Sequence, residues 1–125
     1  MRLGLFKQEQ PKGRLRFQKL RTDPEVFRLT SLVARERGVA MSRMLRRSRG
    51  AGHAAYARQL AMYLANTLLE RPQDVVADLF DRDRTTVVHS IQAVEDRRDD
   101  PRIDAEISRI EALLEVEREG SVQDA

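Results

Sequence analysis

The chain of 125 residues contains no cysteine and no tryptophan, and aromatic residues make up only 5% of it. The absence of cysteine excludes a disulfide framework and a cysteine-based zinc site. The two histidines, His53 and His89, lie far apart in the sequence and have no partner ligands clustered near them, so we expect no metal site. Few aromatic residues and little strand-type alternation, beside many leucine, alanine, valine and arginine residues, predict an all-α protein.

Long apolar runs are also missing. The first residues, MRLGLFKQEQ, lack the hydrophobic stretch of a signal peptide, and no later segment has the length and apolarity needed to span a membrane. The sequence contains no Gly-x-x-x-x-Gly-Lys-Ser/Thr loop, which is the usual cradle for nucleotide phosphates. We expect a cytoplasmic, nucleoid-associated protein with one modest hydrophobic core, no cofactor and no bound nucleotide.

Charge is distributed unevenly along the chain. The formal net charge is +3, but residues 1–60 carry 15 basic and 4 acidic side chains and have a net charge of +11. Residues 61–94 have a net charge of −2, and residues 95–119 have a net charge of −5. A strongly positive half is typical of proteins that bind a polyanion, which makes a nucleic acid the expected partner.

The N-terminal residues 1–22 are basic, with glycine and proline among lysine and arginine, which predicts a flexible arm or simply an unstructured tail. The first helix is predicted where Asp23 is the N-cap, Pro24 takes the first position and Gly38 follows the last turn. We therefore expect one domain over residues 23–119, followed by a frayed tail over the last six residues.

Apolar residues at helical spacing predict five further helices. Their approximate bounds are 39–46, 53–69, 72–80, 85–98 and 99–119, and the arginines and glycines of 46–52 predict an exposed loop between the first two. The side chains predicted to face the core in the last three helices are Val75, Val76, Leu79 and Phe80, then Val87, Val88, Ile91 and Val94, then Ile103, Ile107, Ile110 and Leu114.

Two of these helices flank the tight polar turn 81–84, and this is the sequence shape of a helix-turn-helix. The second of them opens with Asp83-Arg84-Thr85-Thr86. In a recognition helix, aspartate can accept from cytosine, arginine can bind guanine with two hydrogen bonds, and threonine offers a hydroxyl to phosphate or a methyl group to thymine. The same residues also suit helix capping, because Asp83 and Thr86 have the spacing of an N-terminal cap. Both interpretations are open from residue types alone.

Two longer motifs surround these residues. Residues 57–64 read Ala-Arg-Gln-Leu-Ala-Met-Tyr-Leu, and residues 80–89 read Phe-Asp-Arg-Asp-Arg-Thr-Thr-Val-Val-His. This pair of motifs, at this separation, resembles the signature of the C-terminal DNA-binding domain of the bacterial replication initiator DnaA. The resemblance extends over residues 25–116, since 26–49 are similar to the family's first two helices and basic loop, and 103–114 to its last helix.

The resemblance implies a recognition helix in the major groove of double-stranded DNA and a basic loop in the adjacent minor groove. By position, it implies DNA contacts by Arg58 and Gln59 on the long helix, and by Asp83, Thr85 and Thr86 on the recognition helix. The remaining candidates are two residues that match phosphate contacts of the family and the arginines of the basic loop and of the turn: Asn66, Gln73, Arg46, Arg47, Arg49, Arg82 and Arg84.

Three departures from the family pattern affect DNA recognition. Arg84 stands where the family usually has a histidine, and a long cation there would select guanine or bind a phosphate, so the preferred sequence is expected to differ. The basic segment 46–49 is separated from Arg58 by more residues than usual, which leaves open which arginine enters the minor groove. Asp81 stands where the family usually has a glycine, and it adds negative charge near the phosphates.

Together these observations predict a sequence-preferring DNA-binding protein: a stand-alone domain without an ATPase or other catalytic activity, which regulates replication initiation or transcription. It would occupy initiator-type boxes and compete with the initiator, or bind its own operator. The alternative is an adaptor that docks on a protein partner and mimics the initiator domain. His89 is expected to pack or to lie on a polar face. The acidic pairs Asp81/Asp83 and Asp99/Asp100 favour helix starts rather than acid–base catalysis.

Overall fold

The computed structural model describes residues 12–46 and 52–124, and the side chains of residues 17–46 and 52–120. Within these ranges the chain forms helices and no strand, which confirms the predicted all-α class. No helix in the described part of the chain is both long and apolar enough to cross a lipid bilayer. The helices are α1 Lys12–Arg21, α2 Pro24–Arg37, α3 Met41–Met44, α4 Gly52–Thr67, α5 Gln73–Phe80, α6 Arg84–Arg97 and α7 Pro101–Asp124.

Helix α4 lies at the centre of the core. It packs mainly against α6 and α2, and also against α3 and α5, while α7 packs on α2. Leu60 and Leu64 of α4 are fully buried, and so are Ala57 and Ala61, whose small side chains let the neighbouring helices approach closely. Burying each such leucine stabilises the fold by about 1.5–3 kcal/mol. This burial stabilises the central helix, whose first turn contains no acidic residue.

Helix α1 corrects the prediction of a flexible arm. Residues 12–21 form a helix that packs against α2 and α5, and Leu20 is completely buried in the core. Phe17 also packs on the core, three residues before Leu20, which is the spacing of one helical face. These two apolar residues are a short helical signal for α1, and the many charged residues around them favoured the interpretation as a flexible arm. The prediction for residues 1–11 lies outside the described residues.

The predicted ends of α2 are confirmed. The Asp23 side chain accepts a hydrogen bond of 3.2 Å from the backbone N–H of Val26, and Pro24 follows as the first helical residue. Gly38 ends the helix in the left-handed conformation, with φ of 66°. At the other end of the chain, α7 continues to Asp124, five residues beyond its predicted end at residue 119.

Two valines predicted to face the core do not. Val75 is 38% exposed and Val88 is 39% exposed. Each is adjacent in sequence to a fully buried valine, Val76 or Val87, and because successive residues of a helix point about 100° apart, Val75 and Val88 lie at the edge of the buried face. The predicted loop 46–52 falls mostly on residues 47–51, which lie outside the described residues.

Candidate nucleic-acid interface

The turn between α5 and α6 builds the helix-turn-helix. Asp81 takes the left-handed conformation, with φ of 55° and ψ of 51°. Its backbone N–H donates to the carbonyl of Asp78 at 3.2 Å, and that of Arg82 donates to the carbonyl of Ala77 at 2.9 Å. These bonds close α5, and the chain can then reverse direction within three residues.

Helix α6 is held by one face and leaves the other exposed. Val87 and Val94 are fully buried and Ser90 is nearly so, which fixes the rotation of the helix about its axis. We call the exposed side chains of its first three turns the recognition face. It consists of Arg84, Thr85, Thr86, Val88, His89 and Gln92.

Threonine hydroxyls differ between the recognition face and the rest of the chain. Thr22, Thr30 and Thr67 each donate a hydrogen bond to a backbone carbonyl three or four residues earlier, at 2.6, 2.7 and 2.9 Å. Thr85 and Thr86 are exposed, and their hydroxyls form no hydrogen bond within the described part of the chain. Their donor and acceptor capacity therefore remains available to a ligand.

The structure does not support the capping interpretation of Asp83. This residue is the N-cap of α6, but its side chain makes no capping hydrogen bond and is exposed. The first turn of α6 contains no acidic residue, so the positive end of the helix dipole is not neutralised from within the helix. The helix dipole thus favours an anion at the start of α6, whereas the exposed carboxylate of Asp83 opposes one.

Gln73 and Arg84 come together at the two helix starts. The guanidinium of Arg84 donates to the Gln73 side-chain oxygen at 3.5 Å, a long hydrogen bond between exposed groups. Such a weak contact can orient Arg84 and yet yield to a better acceptor. The two predicted site residues are thus neighbours in the fold, although 11 positions separate them in the sequence.

Arg58 and Arg82 bind the backbone at the end of α3 and just after it. The Arg58 guanidinium donates to the Met44 carbonyl at 3.1 Å, and the Arg82 guanidinium donates to the Arg46 carbonyl at 2.5 Å. The helix-turn-helix and the start of α4 therefore both hold the chain where the basic loop begins. Gln59, next to Arg58, is half-buried on α4. The predicted contacts Arg47 and Arg49 lie outside the described residues.

Comparison with known families agrees with this arrangement. Residues 28–94, more than half of the chain, match the model of the bacterial DnaA protein helix-turn-helix. The chain belongs to this family. The match begins within α2 and ends within α6, so it contains α3, α4, α5 and most of the recognition helix. No curated protein matches the chain closely.

Family membership confirms the resemblance stated from the sequence. The C-terminal domain of DnaA binds double-stranded DNA, and the chain is accordingly a DNA-binding domain of the helix-turn-helix type. The individual DNA contacts remain predictions. Within the described ranges, no three histidine, aspartate or glutamate side chains gather in an arrangement that could hold a metal ion.

Lys19 offsets the aspartate that replaces the family's glycine. The Lys19 ammonium lies 3.5 Å from a carboxylate oxygen of Asp81 and 3.7 Å from one of Asp78. Because Lys19 belongs to α1, which was predicted as an arm, this compensation could not be read from the motif itself. The turn therefore carries less negative potential than its sequence indicates, although these groups are exposed and the effect is screened by salt.

Asn66 has a structural partner. Its side-chain amide donates to the Arg71 carbonyl at 2.9 Å. The Arg71 guanidinium in turn binds Asp23 at 2.8 Å and Glu25 at 2.9 Å, which ties the α4–α5 turn to the start of α2. The hydrogen bond from Arg71 keeps the pKa of the Asp23 carboxyl below its ordinary value. The predicted phosphate contact by Asn66 thus competes with a role in the fold.

Sequence reasoning missed two members of the recognition face. Val88 was assigned to the core, and Gln92 was not considered. Both follow Thr85 at helical spacing, three and seven residues later, so extending the face of Thr85 along the helix would have found them. Gln92 donates to the Asp96 carboxylate at 3.0 Å, one turn further along α6.

Proposed function

We propose that the chain binds double-stranded DNA with a sequence preference and occupies sites similar to the boxes of the replication initiator. The observation that supports this most strongly is the state of the recognition face. The hydroxyls of Thr85 and Thr86 form no hydrogen bond with any residue that the structure describes, and the start of α6 has no side-chain cap. Exposed polar side chains at the start of a recognition helix are the groups with which helix-turn-helix proteins contact base edges and phosphates.

In this proposal the start of α6 enters the major groove. Thr85 and Thr86 contact base edges or phosphates there, and Asp83 accepts from a cytosine amino group. Arg84, released from its long contact with Gln73, binds guanine with two hydrogen bonds. We therefore expect a box in which guanine is favoured opposite Arg84, where family members with histidine have another preference.

The basic loop supplies the second contact. Arg58 and Arg82 hold the backbone of Met44 and Arg46, so the loop leaves the core beside the helix-turn-helix. We propose that an arginine of this loop reaches the minor groove adjacent to the major groove read by α6. Gln59 and Gln73 would then position the protein on the phosphates, since such contacts fix register but carry no sequence information.

The biological consequence that we propose is exclusion of the replication initiator from DNA sites that both proteins bind. Binding of this domain to a shared box would keep the initiator from occupying that box. The protein would act in the cytoplasm at the nucleoid, without catalysis, on replication initiation or on transcription.

In vitro selection from random duplex DNA tests the proposal, with a duplex carrying the initiator's box as a parallel competitor. We expect enrichment of that box or of a variant with guanine opposite Arg84. Purified initiator should then compete for the same duplex. Enrichment of an unrelated motif would replace the initiator-antagonist role with that of an independent transcription factor, and no enrichment would favour the protein-docking alternative.

A further inference from the structure

A second cluster of basic side chains lies at the far end of α6 from the recognition face. Two adjoining cavities, of about 310 and 370 Å³, share Arg37 and His53. The first is also lined by Arg43, and the second by Tyr56 and Arg97. We call these five side chains the arginine cleft. Arg97 lies 13 residues beyond Arg84, which is roughly 20 Å along the helix axis.

Positive charge dominates the arginine cleft. The guanidinium carbons of Arg97 and Arg37 lie 4.4 and 5.0 Å from the centre of the Tyr56 ring. Arg37 is paired with Glu106 of α7 at 2.5 Å, whereas Arg43 and Arg97 form no ion pair within the described part of the chain. Of the three guanidinium groups, only that of Arg37 has a carboxylate partner among the described residues, so an anion in the arginine cleft would meet an excess of positive charge.

Hydrogen-bond donors in the arginine cleft are buried without partners. Tyr56 is only 7% exposed, and its hydroxyl has no hydrogen-bond partner among the described residues; the same holds for Nε of Arg37. Burial raises the pKa of the Tyr56 hydroxyl, so at neutral pH it is a neutral donor. Buried donors without acceptors cost free energy, and a ligand that supplies acceptors would recover it.

The start of α4 lies at the same place. Gly52 and His53 are the first residues of this 16-residue helix, and both line the arginine cleft. No acidic residue occurs in the first turn, so the helix dipole adds positive potential to that of the arginines. The helix end and the cationic cluster are independent features that favour the same kind of ligand.

We propose that the arginine cleft binds a phosphate group. A tetrahedral anion with several acceptor oxygens suits guanidinium donors on α2, α3 and α6, together with a neutral hydroxyl. The phosphate comes either from the DNA backbone beyond the bases read by α6, or from a free phosphate or phosphorylated small molecule. The site does not depend on which DNA sequence the recognition face prefers.

The first experiment titrates inorganic phosphate into the protein without DNA, with sodium chloride at matched ionic strength as the control. Nuclear magnetic resonance follows the backbone amides of Gly52 and His53. We expect a saturable shift with phosphate and none with chloride, and an affinity weakened at least tenfold by Arg97→Gln. The matched control is Arg102→Gln, because the Arg102 side chain is 93% exposed on α7 and loses the same charge.

The second experiment measures DNA affinity against salt concentration. If the phosphate is a DNA phosphate, Arg97→Gln reduces the slope of log K against log salt by about 1 and weakens binding to all duplexes equally, while Arg102→Gln leaves the slope unchanged. If phosphate shifts the amide signals but Arg97→Gln leaves the salt slope of DNA binding unchanged, the site binds a free phosphate or a phosphorylated small molecule. Arg43→Gln repeats both tests without disturbing the Tyr56 ring.

Two results separate this site from the proposed function. Absence of both the phosphate shift and the slope change, in a variant that keeps its helical circular dichroism, would overturn the phosphate site and leave recognition by α6 untouched. A protein that selects no DNA sequence, yet shows the saturable phosphate shift, would lose the proposed function and keep the site.

Discussion

The two turns on either side of α5 reverse the chain in the same way but use their polar residues differently. Each passes through a residue other than glycine in the left-handed conformation, Glu70 with φ of 60° and Asp81 with φ of 55°. At the α4–α5 turn, Asn66 and Arg71 hydrogen-bond within the protein. At the α5–α6 turn, the side chains at the start of α6 remain exposed. The family motif alone does not distinguish the two cases, because it marks polar positions in both.

The difference gives a rule for interpreting such positions. A polar side chain whose hydrogen bonds are already made within the fold is expected to affect stability, and one whose bonds are unmade is expected to affect binding. Arg71 and Thr85 represent the two extremes in this chain, and Asn66 and Asp81 lie between them.

Arg71→Ala should have the largest effect, and it should fall on stability. The change removes hydrogen bonds to Asp23, Glu25 and the Leu69 carbonyl and leaves the Asp23 carboxylate without its arginine, while Glu25 keeps its ion pair with Arg118. We expect the free energy of unfolding to fall by about 2–3 kcal/mol, as for bonds between charged groups that are partly buried. Urea denaturation measures it, with Arg102→Ala as a charge-matched control. A loss no larger than that of the control would contradict the role of Arg71.

Thr85→Ala should affect binding instead. The hydroxyl makes no bond in the fold, so the free energy of unfolding should change by less than about 0.5 kcal/mol. Affinity for the selected duplex should fall about tenfold, the lower part of the range for one lost base contact. Fluorescence anisotropy checks this, and Thr22→Ala is the contrasting control, because it removes an exposed threonine hydroxyl that is hydrogen-bonded within the fold, to the Lys19 carbonyl. If Thr85→Ala unfolds the protein or leaves affinity unchanged, the rule fails.

Asn66→Ala separates the fold role from the predicted phosphate contact. Loss of the bond to the Arg71 carbonyl should reduce the free energy of unfolding by about 1 kcal/mol. Measured well below the melting temperature, DNA affinity and its salt dependence should remain those of the wild type. A reduced salt slope in the folded variant would restore Asn66 to the DNA-contacting residues.

Acid should weaken the contact between Asp23 and the α4–α5 turn. The pKa of Asp23 lies below its ordinary value of 3.8, chiefly because of the hydrogen bond from Arg71. Stability from this carboxylate is therefore present above pH 3.8 and is lost as the pH falls through the lower pKa of the folded state. The difference in unfolding free energy between wild type and Arg71→Ala should shrink as the pH is lowered below about 4. A constant difference would assign the loss in Arg71→Ala to packing.

Local signals in the sequence were enough for most of the fold. Asp23, Pro24 and Gly38 fixed the ends of α2, because caps act within a few residues, and the periodic leucines of α4 identified the central helix. The burial of α1 was not predictable, since its few apolar residues are buried only by contact with α2 and α5, which lie later in the sequence. Adjacent valines such as Val87 and Val88 were ambiguous for a related reason: periodicity allows either to face inward, and tertiary packing decides.

The residues of the candidate site that belong to the family motif were predictable from the sequence. The contacts that join distant segments around them were not. Thr85 and Thr86 were found from type and position. The contacts of Arg58 and Arg82 with the backbone after α3 depend on the folded arrangement. The pairing of Lys19 with Asp81 likewise joins segments about 60 positions apart in the sequence.

Asp81→Gly should have the smallest effect and connects the two turns. Glycine adopts φ of 55° without strain, but it also loses more backbone entropy on folding, so the free energy of unfolding should change by less than about 1 kcal/mol. Removing the carboxylate releases Lys19 and lowers the negative charge beside the DNA, so affinity should rise about two- to threefold at low salt, and the gain should diminish as salt screens it. Glu70→Gly makes the same backbone change at the other turn and should leave DNA affinity unchanged. Equal gains in both variants would show that backbone relaxation, and not charge at the helix-turn-helix, sets the affinity.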